Sequence, residues 1–244
     1  MEKDILLLTG WGATCAVWEP IIPVLSNGYQ INCVIPSWHR DSKIAGSLGE
    51  IDNYIENLAA TINRPTNIIA WSMGGLLAVK LAARFPEYIE NICFIASVPK
   101  FVCQDNKNAG IDYQWFTGFL ARYQTQPMSA LNKFLTLLAK GDESARTSLR
   151  FLKKACDFEN YDLKECGYGL ALLQQLDLLE TLKTLQCNTS FIHGASDAVV
   201  SLVSAQHAAY ISDSPLSIIS GAGHAPHISQ PDAVARIINT YLQD

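Results

Sequence analysis

The feature that most constrains this chain is a ten-residue run, Asn67-Ile68-Ile69-Ala70-Trp71-Ser72-Met73-Gly74-Gly75-Leu76. An apolar strand pattern passes into a helical one (Leu76-Leu77-Ala78-Val79) with no loop between them. A turn this sharp crowds the backbone, so it admits only small residues around a central serine. It lifts the Ser72 oxygen out of the sheet and sets it on a helix N-terminus. This is the G-x-S-x-G nucleophile elbow with Ala70 at the first glycine. Alanine is the smallest residue with a Cβ, so the departure is mild. The competing reading is a serine that merely caps the helix.

The rest of the chain supplies a sheet for such a turn. Short apolar runs at Asp4–Thr9, Tyr29–Ile35, Asn67–Trp71, Ile92–Ser97, Thr189–Gly194 and Leu216–Ser220 read as buried parallel strands. Helical patterns at Leu48–Ile62, Met73–Phe85, Ser201–Ser212 and Asp232–Leu242 alternate with them. The alternation predicts an α/β fold, a mostly parallel sheet with helices on both faces. From Lys100 to Leu185 the rhythm breaks into helical patterns alone: Phe116–Tyr123, Ser129–Leu138, Ser144–Cys156 and Leu170–Leu185. Ligands bind outside the carboxyl ends of such strands, and a helical insertion there would roof the pocket. The expected organisation is a core of residues 1–99 and 186–244 with a helical cap at 100–185, inserted after the fourth predicted strand. There is no internal repeat and no low-complexity stretch.

Composition narrows the classes. Of 244 residues, 49% are hydrophobic and 17% charged, which excludes intrinsic disorder. The net charge of −5 gives no global basic footprint for nucleic acid. No apolar run is long enough to span a membrane. Met1-Glu2-Lys3-Asp4 leads straight into Ile5-Leu6-Leu7-Leu8, without the basic start and long apolar core of a signal peptide. The seven cysteines, Cys15, Cys33, Cys93, Cys103, Cys156, Cys166 and Cys187, are odd in number and form no CxxC pair. They are expected to be reduced thiols in a cytoplasmic protein. HExxH and Walker A motifs are absent, and Gly12-Ala13-Thr14-Cys15 leaves G-x-G-x-x-G incomplete, so no metal and no cofactor is expected.

A nucleophilic serine needs a base on a loop after a late strand, in the chain order Ser, Asp or Glu, His. His224 meets this requirement in Gly221-Ala222-Gly223-His224-Ala225-Pro226. His227 is its nearest competitor. His207 lies in a helical pattern, His193 inside a strand as a core residue, and His39 in an early loop that could line the pocket. Asp197, in Gly194-Ala195-Ser196-Asp197, is placed to hold the base in its tautomer. Its alternative role is a cap for the helix near Ser201, and its rival Asp213 precedes a strand and so belongs to the opposite edge. An oxyanion would take the N–H of Met73, which follows the nucleophile, and that of Trp11 in the loop Thr9-Gly10-Trp11-Gly12. The Trp11 ring would wall the pocket, or simply fill the core beneath a tight turn.

Arg146, Arg150 and Lys153 share one helix face at i, i+4 and i+7, with Lys154 beside them and Lys133 on the preceding helix. Such a face is commonly just solvated. On an acidic chain, in the element that roofs the site, it also fits an anionic substrate or an acidic carrier.

With these residues in view, the sequence resembles the pimeloyl-[acyl-carrier protein] methyl ester esterases of biotin synthesis, the BioH family of the α/β-hydrolase fold. The likeness lies in Leu8-Thr9-Gly10-Trp11-Gly12 with Val17-Trp18, in Trp71-Ser72-Met73-Gly74-Gly75-Leu76, and in Ala96-Ser97-Val98-Pro99 with Phe101. It continues through Lys133-Phe134-Leu135, Gly141, Glu143, Ala145-Arg146, Arg150 and Leu152-Lys153-Lys154 to His224-Ala225-Pro226, Ile228-Ser229 and Pro231. The resemblance implies cleavage of the methyl ester of a pimeloyl chain carried on acyl-carrier protein. It implies Ser72, Asp197 and His224 as triad, Trp11 and Met73 at the oxyanion, and Phe134 in the acyl pocket. It places Lys133, Arg146 and Arg150 against the acidic carrier, and Lys153 shares their face. Thr9 stands where the family has histidine, Ala70 where it has glycine, Ser37-Trp38-His39-Arg40 where Gly-x-Gly-x-Ser is common, and Lys133 where arginine is expected. With the strand Asp4–Thr9 so near the start of the sequence, the family's usual first hairpin is expected to be missing. The remaining readings are a short-chain acyl carboxylesterase, a menaquinone-pathway lyase of the same fold, and a ligand-binding module without catalysis. A monomer is expected.

Overall fold

The computed structural model describes residues 3–25, 28–36, 48–103, 110–156, 158 and 163–243. The chain runs β1 (Lys3–Leu8), β2 (Tyr29–Val34), α1 (Leu48–Ala59), β3 (Thr66–Trp71), α2 (Gly74–Arg84) and β4 (Ile89–Ile95). The segment after β4 holds β5 (Val102–Cys103), β6 (Ile111–Asp112), α3 (Tyr113–Thr125), α4 (Pro127–Ala139), α5 (Ala145–Ala155), α6 (Leu163–Gln175) and α7 (Leu179–Lys183). It closes with β7 (Asn188–Gly194), α8 (Leu202–Ile211), β8 (Leu216–Ile219), α9 (Pro226–Ser229) and α10 (Pro231–Gln243).

Six strands form one sheet in the order β2-β1-β3-β4-β7-β8, every pair parallel. The apolar runs form the strands as read, and every residue of β3 is buried, as a strand covered on both faces must be; the edge strands β2 and β8 are only partly buried. From β1 the chain moves outward to β2, then crosses back to β3 and continues the other way. The carboxyl ends of β1 and β3 therefore flank the point where the winding reverses. This is the crevice in which open α/β sheets bind ligands. Gly10 and Trp11 leave β1 there, and Ser72 and Met73 leave β3.

The segment between β4 and β7 departs from expectation twice. It was expected to hold no strand, but Val102–Cys103 pairs in parallel with Ile111–Asp112. Two-residue strands are too short to show a period. The helix expected over Leu170–Leu185 is two helices, α6 and α7. Between them Leu178 N–H donates to Pro99 O (3.0 Å) and Asp177 bridges to Lys100, so tertiary partners replace the helical ladder. Phe116, Leu131, Leu152 and Leu173 from these helices belong to one hydrophobic cluster with Leu7, Ile69 and Phe94 of the sheet. Each such side chain contributes about 1.5–3 kcal/mol by leaving water.

The cysteine reading is corrected in part. Cys15 and Cys33 form a disulfide, with Cα atoms 5.9 Å apart, while the other five are free. Residue counting could not show that the turn after β1 folds back onto β2. Among the described residues no helix is long and apolar enough to cross a membrane, and no cluster of three ligating side chains could hold a metal ion.

Candidate active site

The elbow is built by β3 and the strand beside it. Ser72 sits at φ 52°, left-handed backbone that costs a non-glycine residue roughly 1–3 kcal/mol. The conformation is held from β4: Ser72 N–H donates to Ile95 O (3.0 Å), and Ser97 Oγ donates to Ser72 O (2.6 Å). A Cβ on Gly75 would land on Ser97 Oγ, and one on Gly74 would lie 2.5 Å from Leu8 O. The small residues after the serine are thus required by close approach. The helix begins only at Gly74, with Met73 at its cap and no side-chain cap bond. Ser72 is therefore not a helix cap.

Instead the Ser72 side chain meets His224, with Nε2 3.0 Å from Oγ. His224 Nδ1 lies 2.8 Å from Asp197 Oδ2. The other carboxylate oxygen accepts Val199 N–H (2.8 Å) and Val200 N–H (2.9 Å). Asp197 thus turns its own loop, and the cap of α8 is Ser201, which accepts from Ser204 N–H. Burial alone would raise the Asp197 carboxyl. The charge and hydrogen bond of His224, the charge of His193 and the Val200 amide outweigh it and hold it below the usual carboxylate range. An ionised Asp197 fixes His224 with Nδ1–H toward the carboxylate and Nε2 free to take a proton from Ser72. Trp71 Nε1–H donates to His224 O (2.8 Å) and pins the loop from below.

The loop after β1 lies against this group: a Cβ on Gly10 would sit 3.1 Å from Ser72 Cβ. Trp11 and Met73 are buried, and among the described residues neither main-chain N–H donates a hydrogen bond. Their side chains converge at Gly169 of α6, and Trp11 Nε1–H donates to Cys166 O (2.8 Å). Phe134, half-buried on α4, packs edge-on to the Trp11 ring at 5.0 Å, and Phe119 of α3 does so at 6.0 Å. The Trp11 ring is thus part of the core, packed edge-on among aromatic side chains of α3 and α4.

Residues 5–237 match the model of the alpha/beta hydrolase family. The chain belongs to that family. It is 30% identical to the pimeloyl-[acyl-carrier protein] methyl ester esterase of Aeromonas hydrophila, over 98% of this chain and 95% of the relative. It is 29% identical to the enzyme of the same name from Aromatoleum aromaticum, over 99% of both. Identity is also 29% to the biotin biosynthesis bifunctional protein BioHC of Teredinibacter turnerae, over 98% of this chain. The chain spans 44% of that longer protein. Among solved structures, a bromoperoxidase from Bacillus anthracis superposes with a TM-score of 0.86 at 20% identity, covering 100% of this chain and 93% of the other. An esterase from Exiguobacterium antarcticum does so at 0.85 and 17%, covering 99% and 92%. At such identities these two show the fold.

In this α/β hydrolase the remaining candidates fall as follows. Lys133 on α4 and Arg146, Arg150 and Lys153 on α5 are exposed, and none forms an ion pair with a described residue. His207 is half-buried on α8, and His39 lies outside the described residues, as does the whole Ser37–Arg40 run. His227, the rival base, is sealed in the core between Trp18 and Trp71. His193 is a core residue as read, but it also faces the site. Its Nε2 lies 3.0 Å from Val200 O, to which it donates, and 3.3 Å from Asp197 Oδ2. Burial drives its pKa down, against the pull of Asp197 and the Val200 carbonyl. Its place four residues before Asp197, at a strand's carboxyl end, was the available signal. Ser97 and Trp71 carried none, because their partners lie on other strands and loops.

Proposed function

We propose that this chain is a serine carboxylesterase that hydrolyses the methyl ester of pimeloyl-acyl-carrier protein to pimeloyl-acyl-carrier protein and methanol, a step of biotin synthesis. The observation that carries the proposal is the Ser72–His224–Asp197 hydrogen-bonded chain at the sheet's switch point. The substrate is supported by the names of relatives that match the chain nearly end to end.

His224 Nε2 takes the Ser72 proton as Oγ attacks the ester carbonyl carbon. The carbonyl oxygen becomes an oxyanion, and the N–H groups of Trp11 and Met73 are its donors; each such donor is worth about 2.7–4 kcal/mol in the transition state. Collapse breaks the bond to the methoxy oxygen, which leaves as methanol with the proton from His224. Water, deprotonated by the same nitrogen, then attacks the acyl-enzyme, releasing the free carboxyl group and restoring Ser72. Asp197 stabilises the imidazolium in both halves without taking the proton. Residues 100–185 act as the cap: Phe134 lines the acyl pocket with Trp11, while Lys133, Arg146, Arg150 and Lys153 face the acidic carrier. These four cations are exposed and unpaired among the described residues, as a docking face requires. The enzyme is a monomer in this reading. A carrier-bound biosynthetic substrate fits the cytoplasm.

The test is hydrolysis of the carrier-bound ester by the purified protein, Ser72 labelling by a fluorophosphonate, and complementation of a biotin auxotroph lacking the esterase. Turnover of the carrier ester that disappears in Ser72→Ala supports the reading. Labelling of Ser72 with turnover of small esters alone would leave a generic carboxylesterase, and no labelling would leave a ligand-binding module.

A further inference from the structure

The turn between α4 and α5, Lys140–Ser144, lies on the loops that carry both His224 and Asp197. Glu143 N–H donates to Gly221 O (2.9 Å). Gly223 N–H, next to the base, donates to Asp142 Oδ1 at 2.6 Å in a buried bond. Gly141, at φ 95°, is pressed so closely on Ser196 O, one residue before Asp197, that a Cβ there would overlap it. Asp142 is 7% exposed, and its second oxygen has no partner among the described residues. A carboxylate is costly to bury in this state, and its one hydrogen bond among the described residues goes to the backbone of the His224 loop. At the far end of α5, Ala155 O accepts both the N–H and the hydroxyl of Thr14 (2.9 Å each), three residues after Trp11. The helix that carries Arg146 and Arg150 is thus fastened at both ends to loops of the site.

We infer that Asp142 is a positioning residue for the base: by accepting the Gly223 N–H it sets the His224 loop so that Nε2 meets Ser72 Oγ. The inference rests on the proposed serine-esterase chemistry for its effect on rate, and on geometry alone for its effect on the loop. Misplacing a catalytic group by a fraction of an ångström to an ångström costs rate steeply, up to about a hundredfold. It costs little ground-state binding, because the acyl pocket is formed by other residues.

The experiment compares the unmodified protein with Asp142→Ala and Asp142→Asn, the latter keeping an acceptor for Gly223. Fluorophosphonate titration of Ser72 counts active sites, and kcat and KM are measured on p-nitrophenyl butyrate per titrated site. Hydrogen–deuterium exchange follows the Gly223 amide. Expected for Asp142→Ala is a kcat per site lowered about ten- to a hundredfold, KM within about twofold, and rapid exchange at Gly223. Asp142→Asn is expected to restore kcat to within about threefold and to keep the amide protected. An alanine protein that melts earlier but keeps its kcat per site would show that Asp142 only supports the fold, and would overturn the inference. So would an asparagine protein as impaired as the alanine one; this second variant decides alone if the first does not fold. If the unmodified protein never labels at Ser72, the esterase reading falls. The exchange data then judge the clamp on its own: an amide equally protected in Asp142→Ala refutes it.

Discussion

His227→Phe separates a buried histidine's effect on stability from the chemistry next to it. The ring is fully buried, with centroids 4.8 Å from Trp18 and 5.0 Å from Trp71, and neither nitrogen has a hydrogen-bond partner among the described residues. Burial, with a smaller contribution from the His224 charge, pushes its pKa from 6.5 down to about 3. Between those values the unfolded chain binds a proton that the folded protein does not. Stability is therefore whole above pH 6.5 and is lost as pH falls toward 3. The loss is about 1.4 kcal/mol per pH unit, which gives about 2 kcal/mol at pH 5.0 and almost none at pH 7.5. For a chain of this size, 1 kcal/mol moves Tm by about 2–4 °C. Thermal unfolding at pH 7.5 and 5.0 should then show the unmodified protein losing about 4–8 °C more than His227→Phe. At pH 7.5 the phenylalanine protein should be at least as stable, since an unpartnered buried polar group costs about 1–3 kcal/mol. Other titrating groups, His193 included, are common to both proteins and cancel. Equal losses of Tm would refute the reasoning: the ring would then be protonated, or hydrogen-bonded, inside the folded protein.

The remaining expectations concern the site. Ser72→Ala should lower esterase kcat by about 10⁴-fold or more, with His224→Ala nearly as severe because the two act as a unit; an active His224→Ala protein would remove His224 as the base. Gly75→Ala forces a methyl onto Ser97 Oγ and should cut kcat at least tenfold or so while lowering Tm, measured on the same small ester. Glu at both Arg146 and Arg150 should reduce turnover of the carrier-bound ester by roughly tenfold or more, mainly through KM, and leave p-nitrophenyl butyrate unaffected. Added salt should mimic that change on the unmodified protein, because exposed charges are screened beyond about 10 Å at ~0.1 M; an untouched carrier ester would reduce the patch to a solvated helix face.

Much of this protein is local in origin. The strand periods, the hydrophobic helix faces and the one-residue turn at Ser72 depend on neighbours in the chain, so the sequence alone determined the parallel sheet, its helices and the elbow. The order Ser72, Asp197, His224 followed from the placement of loops after late strands, and the exposed face of Arg146 and Arg150 from helical spacing. What the chain does between distant segments was closed to that reading. The short β5–β6 pair, the break between α6 and α7, and the Cys15–Cys33 bond each join residues whose own neighbourhoods signal nothing. The same holds for Ser97 behind the nucleophile, Trp71 under His224 and Asp142 on Gly223. Only the tertiary structure decided these, because a hydrogen bond or disulfide needs two groups within a few ångströms. Across 18 residues of chain for Cys15 and Cys33 and 153 for Trp71 and His224, that proximity is set by how the sheet and helices pack together, not by any pattern along the sequence.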